Sequence, residues 1–538
     1  MLSTYVDLSD TVIFFAIPGS SPTFYVYIVL IADYNYRYGH NLIIVYYLVK
    51  APCYMNDTQF RLRPSSFDTL LDLLSETSDP FHERYGKHLS KAQVDELMRP
   101  SNETLQEVKN WLNWHGIADP ELSTSLDRSI ALTVPVFLAE TMLNTTYHVF
   151  EHAKSQKKTL RTLEYSLPRH LHSHINLVSP TTYFGTTESM RANSFLQSRA
   201  SGSNLTGDTT PLIGCVDTVA PTCLKDLYNT ANYIPTQISR NGIGIPGFID
   251  QYASFSDLTT FTQDFLAPGH QRNLHCEATV VGIQLTCKLD LFCEHLRAGI
   301  TGGDDGFESF LDWLDFIATV PDDLLPNTFS TSYGDDEQNV PADFAVELCS
   351  GFAELGARGA RLMFTSGDTG VAGALCETND GVFRPAFPAR QLPLCGGFSN
   401  LFARPSYQED VVSAFLIADG NNNAGLFNTT GRAYPDVAAR GQGFQTILDG
   451  LVETIDSTAG SSPTFAGVIA LLNDFKLAQD GTTLGFLNPL LYANPTALND
   501  ITIGTNAGCG ASGFDAGVGW DPVTGLGTPD FVELQAII

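Results

Sequence analysis

One stretch of the sequence has the form of a turn that presents a reactive side chain at the start of a helix. Residues 454–474, TIDSTAGSSPTFAGVIALLND, join a run of small residues to apolar residues at helical spacing. Ser461 and Ser462 before Pro463 predict an N-cap followed by proline at the first helical position. Such a turn commonly presents a nucleophilic serine beside oxyanion donors. The residue at its head is Ala459, whose methyl group cannot attack a carbonyl.

A second candidate for chemistry is an aspartate at the predicted end of a strand. The segment ARLMFTSGDTGV predicts a strand followed by a Ser-Gly-Asp turn, which places Asp368 at the carboxyl end of the strand, where α/β sheets gather their sites. Nine of the 12 histidines precede residue 180, and none follows His295. This distribution excludes a Ser-His-Asp triad with its histidine after residue 295. Acyl transfer there would need carboxylate bases, which suits an enzyme that works in acid.

The elements that would hold these residues fall into three parts after an apolar start at 1–54. Residues 55–180 are rich in predicted helices, two of them capped by serine (SKAQVDEL and SNETLQEVKNWL), with short strands between them. Residues 181–214 are rich in Ser, Thr, Gly and Asn, which predicts an exposed linker with a processing site. Residues 215–538 alternate β-branched runs with helical segments, which predicts a mostly parallel sheet with helices on both faces.

The composition limits the classes of partner. The chain has 538 residues and 43% hydrophobic residues, enough for more than one core. Its formal net charge of −29 argues against nucleic acid or an anionic membrane surface as a partner. A surplus of carboxylates also fits an acidic working compartment, because protonation relieves their mutual repulsion at low pH. A soluble acidic enzyme of no particular pH is the alternative.

Cysteines and glycosylation sequons favour a secreted protein, with an acidic vacuolar or lysosomal lumen as the alternative. The chain has 10 cysteines, of which Cys215 and Cys223 are close enough in sequence for a short disulfide loop. Five Asn-x-Ser/Thr sequons begin at Asn56, Asn102, Asn144, Asn204 and Asn428.

The N-terminus does not match an ordinary signal peptide. Residues 11–32 carry no charge and are long enough to span a membrane, but Pro18, Gly19 and Pro22 interrupt them and no basic segment precedes them. Three interpretations remain: a gene-prediction error that replaced a signal peptide, an uncleaved anchor, or a buried segment. Any membrane association is expected only through residues 11–32.

Several motifs together resemble the sedolisin family of serine-carboxyl peptidases, especially its fungal tripeptidyl-peptidase branch. The segment SDPFHERYGKHLS, with the later WLNWHGI, resembles the family's activation prodomain, while TCLKDLYNTANY and GFIDQYASFSDLTTF resemble the start of the mature enzyme. The motifs FSTSYGDDEQ, FTSGDTGV, GGFSNLFARPSYQ, YPDVAA, SSPTFAGVIALLND and GFDAGVGWDPVTGLGTPDF follow in the family's order. The resemblance implies a subtilisin-like α/β catalytic domain at 215–538 and an α+β activation prodomain at 55–180. It also implies a zymogen that acts on peptides or proteins and whose own prodomain serves as inhibitor and chaperone.

The resemblance assigns four catalytic positions, two of which have lost the required side chain. Asp368 matches the oxyanion aspartate, which must be protonated to donate a hydrogen bond, and Glu277 matches the general base. The aspartate that orients this glutamate should lie four residues on, at Val281, and one inserted residue would shift the position to Gly282. The nucleophilic serine falls at Ala459.

Neighbouring serines do not readily replace the missing nucleophile. Ser457 and Ser461 lie two residues either side of Ala459, roughly 6–7 Å away along an extended chain. Attack on a carbonyl needs the reacting atoms within about 3–3.5 Å. The chain also departs from the family before Gly396, where RQLPL joins almost directly to Cys-Gly-Gly-Phe and a core strand is missing.

The resemblance also implies one structural Ca²⁺ ion. On the family pattern, two carboxylates and three backbone carbonyls would supply oxygen ligands of the kind calcium prefers. These ligands are Asp500, Ile501, Gly517, Gly519 and Asp521.

Two principal hypotheses follow for the function. The first is an acid-active, secreted serine peptidase of tripeptidyl-peptidase type. The second is a catalytically inactive homologue that keeps the fold and binds peptides or acts as a scaffold, or a non-functional product. Residue 459 discriminates between them, and the sequence favours the second. A membrane-anchored binding protein is a third hypothesis, and it rests on residues 11–32 alone.

Overall fold

The computed structural model describes two large parts of the chain and a few isolated strands. It describes residues 55–117, 128–152, 158–185, 218–237, 239–248, 254–265, 310–372, 381–388, 396–420, 422–479, 481–508 and 510–538, with Cys215 and strands at 12–16, 26–30, 42–43 and 195–197.

The helices within these ranges are numbered in chain order. They are α1 Phe67–Ser78, α2 Lys91–Met98, α3 Asn102–Trp114, α4 Val136–Leu143, α5 Pro221–Leu227, α6 Phe255–Phe265, α7 Phe310–Thr319, α8 Ala342–Ala357, α9 Glu409–Asp419, α10 Thr458–Gln479, α11 Asn488–Ala493 and α12 Phe531–Ala536. Single 3₁₀ turns lie at Arg169–Leu171, Glu337–Asn339, Gly370–Ala372, Ser406–Gln408 and Pro495–Ala497.

The strands are short. They are β1 Val12–Ala16, β2 Val26–Leu30, β3 Leu42–Ile43, β4 Met55–Leu62, β5 Ser129–Pro135, β6 His148–His152, β7 Lys158–Arg161, β8 Ile175–Ser179, β9 Phe195–Gln197, β10 Ile243–Gly244, β11 Thr328–Thr331, β12 Asp335–Asp336, β13 Arg361–Phe364, β14 Ala386–Phe387, β15 Gly397–Ala403, β16 Gly431–Tyr434, β17 Phe444–Leu448, β18 Leu451–Asp456, β19 Leu498–Asn499 and β20 Thr528–Pro529.

The N-terminal part is an antiparallel sheet covered by helices. Strand β4 lies between β5 and β8, and Phe60 pairs with both Ile130 and Val178. These residues are buried against the apolar face of α3, which includes Val108 and Trp111. The predicted serine caps of α2 and α3 are confirmed: each serine side chain accepts a hydrogen bond from a backbone amide of the first turn, and the α2 cap is a complete capping box.

The C-terminal part is built on a parallel sheet in the order β10-β11-β13. Successive residues of β13 face opposite layers: Met363 packs in the cluster that includes α10, whereas Phe364 packs in the cluster that includes α7 and α8. Helices therefore cover both faces, and the predicted α/β fold with an α+β unit before it is confirmed. The other described sheets of this part are antiparallel and carry the loops around α10.

One boundary prediction was wrong. Helix α10 begins at Thr458, three residues before Ser461, and Pro463 lies inside it. The first turn can form earlier because Asp368, 90 residues away, accepts a hydrogen bond from the Thr458 amide. Local cap signals cannot reveal an acceptor supplied from so far along the chain.

Three further predictions can be compared with the structure. The disulfide between Cys215 and Cys223 is present. Within the apolar start, β1 and β2 pair antiparallel. Among the described residues, no helix is long and apolar enough to cross a membrane.

Residues 389–395, where the family's missing strand was inferred, lie outside the described residues, as do Glu277 and Val281.

Candidate active site

The head of α10 and the loop after β13 meet in the structure. Asp368 Oδ1 accepts hydrogen bonds from the Thr458 amide and from Thr458 Oγ1, each at 2.7 Å. Ser457 Oγ donates to Asp368 Oδ2 at 2.8 Å. The carboxylate thus accepts from three donors, one backbone amide and two side-chain hydroxyls, at the positive end of a 22-residue helix.

The protonation state of Asp368 is set by two opposing effects. Burial raises its pKa from the ordinary value, while the hydrogen bonds from Thr458 and Ser457 lower it, and the net direction is upward. When protonated, the carboxyl group can donate a hydrogen bond to a nearby oxygen. An acid milieu therefore converts Asp368 from an acceptor into a donor.

The serine and threonine residues on either side of Ala459 are buried. Ser457 is 1% exposed, and Thr458, Ser461 and Ser462 are 0% exposed. Ser457 Oγ accepts the Ala459 amide at 3.0 Å in addition to its bond to Asp368. Between Ser457 and Ser462, only Ala459 and Gly460 are half-buried rather than buried. The more accessible positions of this first turn therefore carry no hydroxyl group.

The two serines further into α10 point into the protein. Ser462 Oγ lies 2.9 Å from Ser330 Oγ on β11, which ties the helix to the sheet. Ser461 Oγ has no hydrogen-bond partner among the described residues, and the backbone at Gly441 covers it so closely that a Cβ there would lie 2.7 Å away. Neither hydroxyl has access to a bound peptide.

The five residues predicted to bind calcium meet in two adjoining loops. Asp521 is fully buried, and its Oδ2 accepts the Gly517 amide at 2.9 Å. Asp500 Oδ2 accepts the Gly519 amide at 2.8 Å and is exposed. Gly519 has a φ of +87°, a conformation that favours glycine.

The Thr524 hydroxyl links Ile501, the fifth predicted calcium ligand, to Asp521. Thr524 Oγ1 donates to the Ile501 carbonyl at 3.3 Å and lies 3.2 Å from Asp521 Oδ1. Burial raises the pKa of Asp521, although backbone amides from Gly517, Thr524 and Val523 oppose the shift. Among the described residues, no cluster of three or more His, Cys, Asp or Glu could hold a metal ion. Two carboxylates with backbone carbonyls remain a donor set that fits calcium, which accepts such mixed oxygen ligands.

The sequence did not single out a buried polar network beneath this site. Asp436 is fully buried and accepts from Arg432 Nη2 at 2.7 Å, Tyr492 Oη at 2.9 Å and Gln408 Nε2 at 3.1 Å. Its backbone carbonyl accepts the Leu526 amide at 2.9 Å, beside the Asp521 loop. The available signal was an aspartate within the apolar YPDVAA segment, which is costly to bury unless it is paired.

Comparisons with known proteins identify the relatives of this chain. Residues 56–184 match the family described as the Pro-kumamolisin activation domain. The tripeptidyl-peptidase SED2 of Arthroderma otae is 32% identical over 88% of this chain and 90% of that protein. The tripeptidyl-peptidase SED3 of the same fungus is 33% identical over 90% of this chain and 91% of that protein.

The chain belongs to the sedolisin family. Its relatives place it in the fungal tripeptidyl-peptidase branch, as the motifs predicted. A solved structure of a Pseudomonas sedolisin complexed with pseudo-iodotyrostatin matches with a TM-score of 0.45 and 20% identity, covering 60% of this chain and 97% of that one.

The sedolisin activation domain contacts the catalytic part through charged and polar pairs. Arg61 Nη1 lies 2.5 Å from Asp315 Oδ1, and Arg128 pairs with Glu354. Tyr165 Oη donates to Asp343 Oδ2 at 3.0 Å. Three carboxylates of the catalytic part therefore bond to donors of the activation domain.

A second contact uses the backbone of the YGKHLS segment. The Leu89 amide donates to the Ala357 carbonyl at 2.8 Å, and the Lys91 amide donates to Asp322 Oδ2 at 2.8 Å. His88 Nε2 lies 2.9 Å from the Thr483 carbonyl oxygen. The ring of His88 lies against Gly359 and Gly485, where a Cβ would lie 2.5 and 2.3 Å from it. Two glycines therefore make the space that this histidine fills.

The linker reaches the strand that leads into the head of α10. Strand β9 pairs antiparallel with β18, with Phe195 opposite Asp456. Asp456 directly precedes Ser457 in the sequence, so the linker backbone lies beside the candidate active site.

Proposed function

We propose that this sedolisin homologue binds peptides in the family's cleft but does not hydrolyse them. The observation that carries the proposal is that Ala459 is half-buried whereas Ser457, Thr458, Ser461 and Ser462 around it are all buried. A peptide carbonyl placed at the head of α10 would meet a methyl group. Removing a catalytic nucleophile leaves residual catalysis several orders of magnitude lower.

Asp368 is the group proposed to contact the peptide. In acid its carboxyl group would donate to the carbonyl oxygen of a bound peptide, which is the oxyanion role carried over from the family. Without attack at the carbonyl carbon, this hydrogen bond contributes to binding rather than to rate. Glu277 stays the predicted general base and Val281 the lost orienting position.

One Ca²⁺ ion is proposed to be held by Asp500, Asp521 and the carbonyls of Ile501, Gly517 and Gly519. The ion would neutralise two carboxylates that converge on these loops in a chain of net charge −29. Its role would be structural, because the loops it joins connect to the buried Asp436 through Leu526.

The proposed setting is a secreted glycoprotein. Two sequon asparagines, Asn102 and Asn144, are exposed and suit glycan attachment. Asn56 is different: it is 5% exposed and donates to Thr58 Oγ1 at 2.9 Å, so its amide nitrogen is already engaged in the folded chain.

The proposal is tested by measuring binding and cleavage on one peptide. The full chain, after acid treatment, would be incubated with a fluorescent Ala-Ala-Phe peptide at about pH 4, because acid favours the protonated form of Asp368. Anisotropy reports binding and mass spectrometry reports cleavage. We expect saturable binding with the peptide intact, and weaker binding by the Asp368→Ala variant. Turnover by the wild-type chain would show that another residue acts as nucleophile, and the absence of binding would reject a peptide-binding role.

A further inference from the structure

Two groups at the head of α10 could donate hydrogen bonds to a peptide carbonyl, and one serine hydroxyl bonds to both of them. The two groups are the Asp368 carboxyl in its protonated form and the backbone amide of Ala459. Ser457 Oγ lies 2.8 Å from Asp368 Oδ2 and accepts the Ala459 amide at 3.0 Å. Donors that stabilise a carbonyl oxygen in acyl-transfer sites lie about 2.7–3.1 Å from it. The hydroxyl oxygen of Ser457 therefore lies at the distances that a peptide carbonyl oxygen would take from these two groups.

The bonds of Asp368 determine which of its oxygens can take a proton in acid. Oδ1 accepts from the Thr458 amide, which can only donate, and also from the Thr458 hydroxyl. Oδ2 faces the Ser457 hydroxyl, which can change from donor to acceptor by rotating about its Cβ–Oγ bond. Protonation is therefore expected at Oδ2, and the new O–H would donate to Ser457 Oγ. In acid this one oxygen would accept from both Asp368 and the Ala459 amide.

Backbone hydrogen bonds on both sides hold Ser457 in this position. Its amide donates to the Gly441 carbonyl at 2.8 Å, and its carbonyl accepts the Gly460 amide at 3.1 Å. Ser457 is 1% exposed, whereas Asp368 and Ala459 are half-buried. The two residues that carry the donors therefore reach the protein surface, while the serine that joins them is enclosed.

We propose that the Ser457 hydroxyl is a built-in competitor for the carbonyl group of a bound peptide. Ser457 would act as a positioning residue that keeps Asp368 and the Ala459 amide occupied. This inference rests on the proposed peptide-binding function and concerns how tightly the same site binds. In the wild type, a peptide carbonyl gains these donors only when the hydroxyl loses them, and a buried hydroxyl without partners is unfavourable. Removing the hydroxyl releases both donors and vacates the volume of one oxygen atom.

The experiment is a calorimetric titration of the acid-treated full chain with the peptide amide Ala-Ala-Phe-NH₂ at about pH 4. The variants Ser457→Ala and Ser457→Gly both remove the hydroxyl, and each should bind the peptide about 5–10-fold more tightly than the wild type. Both should also lower the midpoint of thermal unfolding, because the Ala459 amide loses its acceptor. A purely structural role of Ser457 predicts weaker binding together with this lower stability.

A control variant and a control ligand isolate the competition. Ser462→Ala removes another buried hydroxyl of α10, which lies 2.9 Å from Ser330 Oγ and does not contact Asp368. It should bind Ala-Ala-Phe-NH₂ like the wild type. The compound Ala-Ala-phenethylamide lacks the carbonyl group of the phenylalanine, so the wild type and Ser457→Ala should bind it with equal affinity.

The outcomes separate this inference from the proposed function. Peptide binding by the wild type without a gain in either folded Ser457 variant would overturn the inference and leave the proposed function in place. Binding by the variants but not by the wild type would support the competition and reject peptide binding by the natural chain. An equal gain for Ala-Ala-phenethylamide, or no binding by any of the folded proteins, would also overturn the inference.

Discussion

The Asp368 carboxylate lies 2.7 Å from the backbone amide of Thr458 and so closes the first turn of α10 from another part of the chain. The same carboxylate accepts the Ser457 hydroxyl at 2.8 Å. One side chain therefore fixes the position of Ala459, whose own amide bonds to Ser457 Oγ. Asp368 and Ser457 thus hold in place the residue that was predicted to occupy the nucleophile position.

Replacing Asp368 tests its contribution to this geometry. Asp368→Ala leaves the Thr458 donors unsatisfied and should lower the free energy of unfolding by about 1–3 kcal/mol in urea titrations. Asp368→Asn keeps the acceptor oxygen and should cost less. Equal losses in both variants would mean that the carboxylate oxygens do not cap the helix.

The raised pKa of Asp368 predicts a pH dependence of stability. The folded state holds the proton more tightly than the unfolded state, so this contribution is full below the unfolded pKa of about 3.9 and is lost as pH rises through the folded value. Asp368→Asn cannot ionise and should flatten this part of the stability profile. Urea titrations between about pH 3 and pH 7 measure the difference. An unchanged slope in the variant would contradict the assignment.

His88 predicts the opposite dependence at the activation-domain contact. Burial, then the charges of Arg361 and Lys476, lower its pKa, although the Thr483 carbonyl opposes the shift. Docking is therefore strongest above the unfolded pKa of about 6.5 and weakens as pH falls towards the folded value, by up to about tenfold per pH unit.

Hydrogen exchange at Leu89 measures this docking, because its amide bonds to the Ala357 carbonyl across the contact. The protection of this amide, measured as its exchange rate relative to the intrinsic rate at the same pH, should fall in acid in the wild type and depend less on pH in His88→Gln. His170→Gln, which changes an exposed histidine of the same domain, is the control and should match the wild type. An equal loss of protection in His88→Gln would contradict the assignment to His88.

The Asp436 network should be the most sensitive polar feature of the catalytic part. Asp436→Ala leaves Arg432 buried and uncompensated, so we expect a loss of about 3–5 kcal/mol in the free energy of unfolding. The control Glu96→Ala breaks an exposed pair with Arg99 and should change it by about 0.5 kcal/mol or less. Similar losses in both variants would show that the buried pair has no special role.

Calcium binding should appear as a gain in thermal stability. Adding Ca²⁺ to chelator-treated protein should raise the unfolding midpoint by an amount that grows with its concentration, since the ion binds the folded state. Asp521→Asn should abolish most of this gain, and Asp515→Asn, an exposed change in the neighbouring turn, should keep it. Mg²⁺ should be less effective because it requires a smaller octahedral site. No shift in the wild type would reject the calcium proposal.

Local sequence patterns predicted much of the fold, whereas the geometry of the candidate site depends on contacts between residues that are far apart in sequence. The serine caps of α2 and α3 were predictable because each cap and its amide lie three residues apart. The start of α10 was not, because Asp368 is far from Thr458 in sequence. The pairing of Asp436 with Tyr492 and of Arg61 with Asp315 could not be predicted either, because the partners are far apart in sequence. Motifs located Asp368 and Ala459, and the structure added that the hydroxyls around Ala459 are buried.

The most direct test of a hydrolytically inactive site is the rate of peptide cleavage by three proteins. The wild type, Ala459→Ser and the size control Ala459→Val would be assayed at about pH 4 on an Ala-Ala-Phe chromogenic substrate. We predict no cleavage above background by the wild type or by Ala459→Val, and measurable cleavage by Ala459→Ser only if the remaining catalytic groups are competent. Cleavage by the wild type at a rate equal to that of Ala459→Ser would contradict the account.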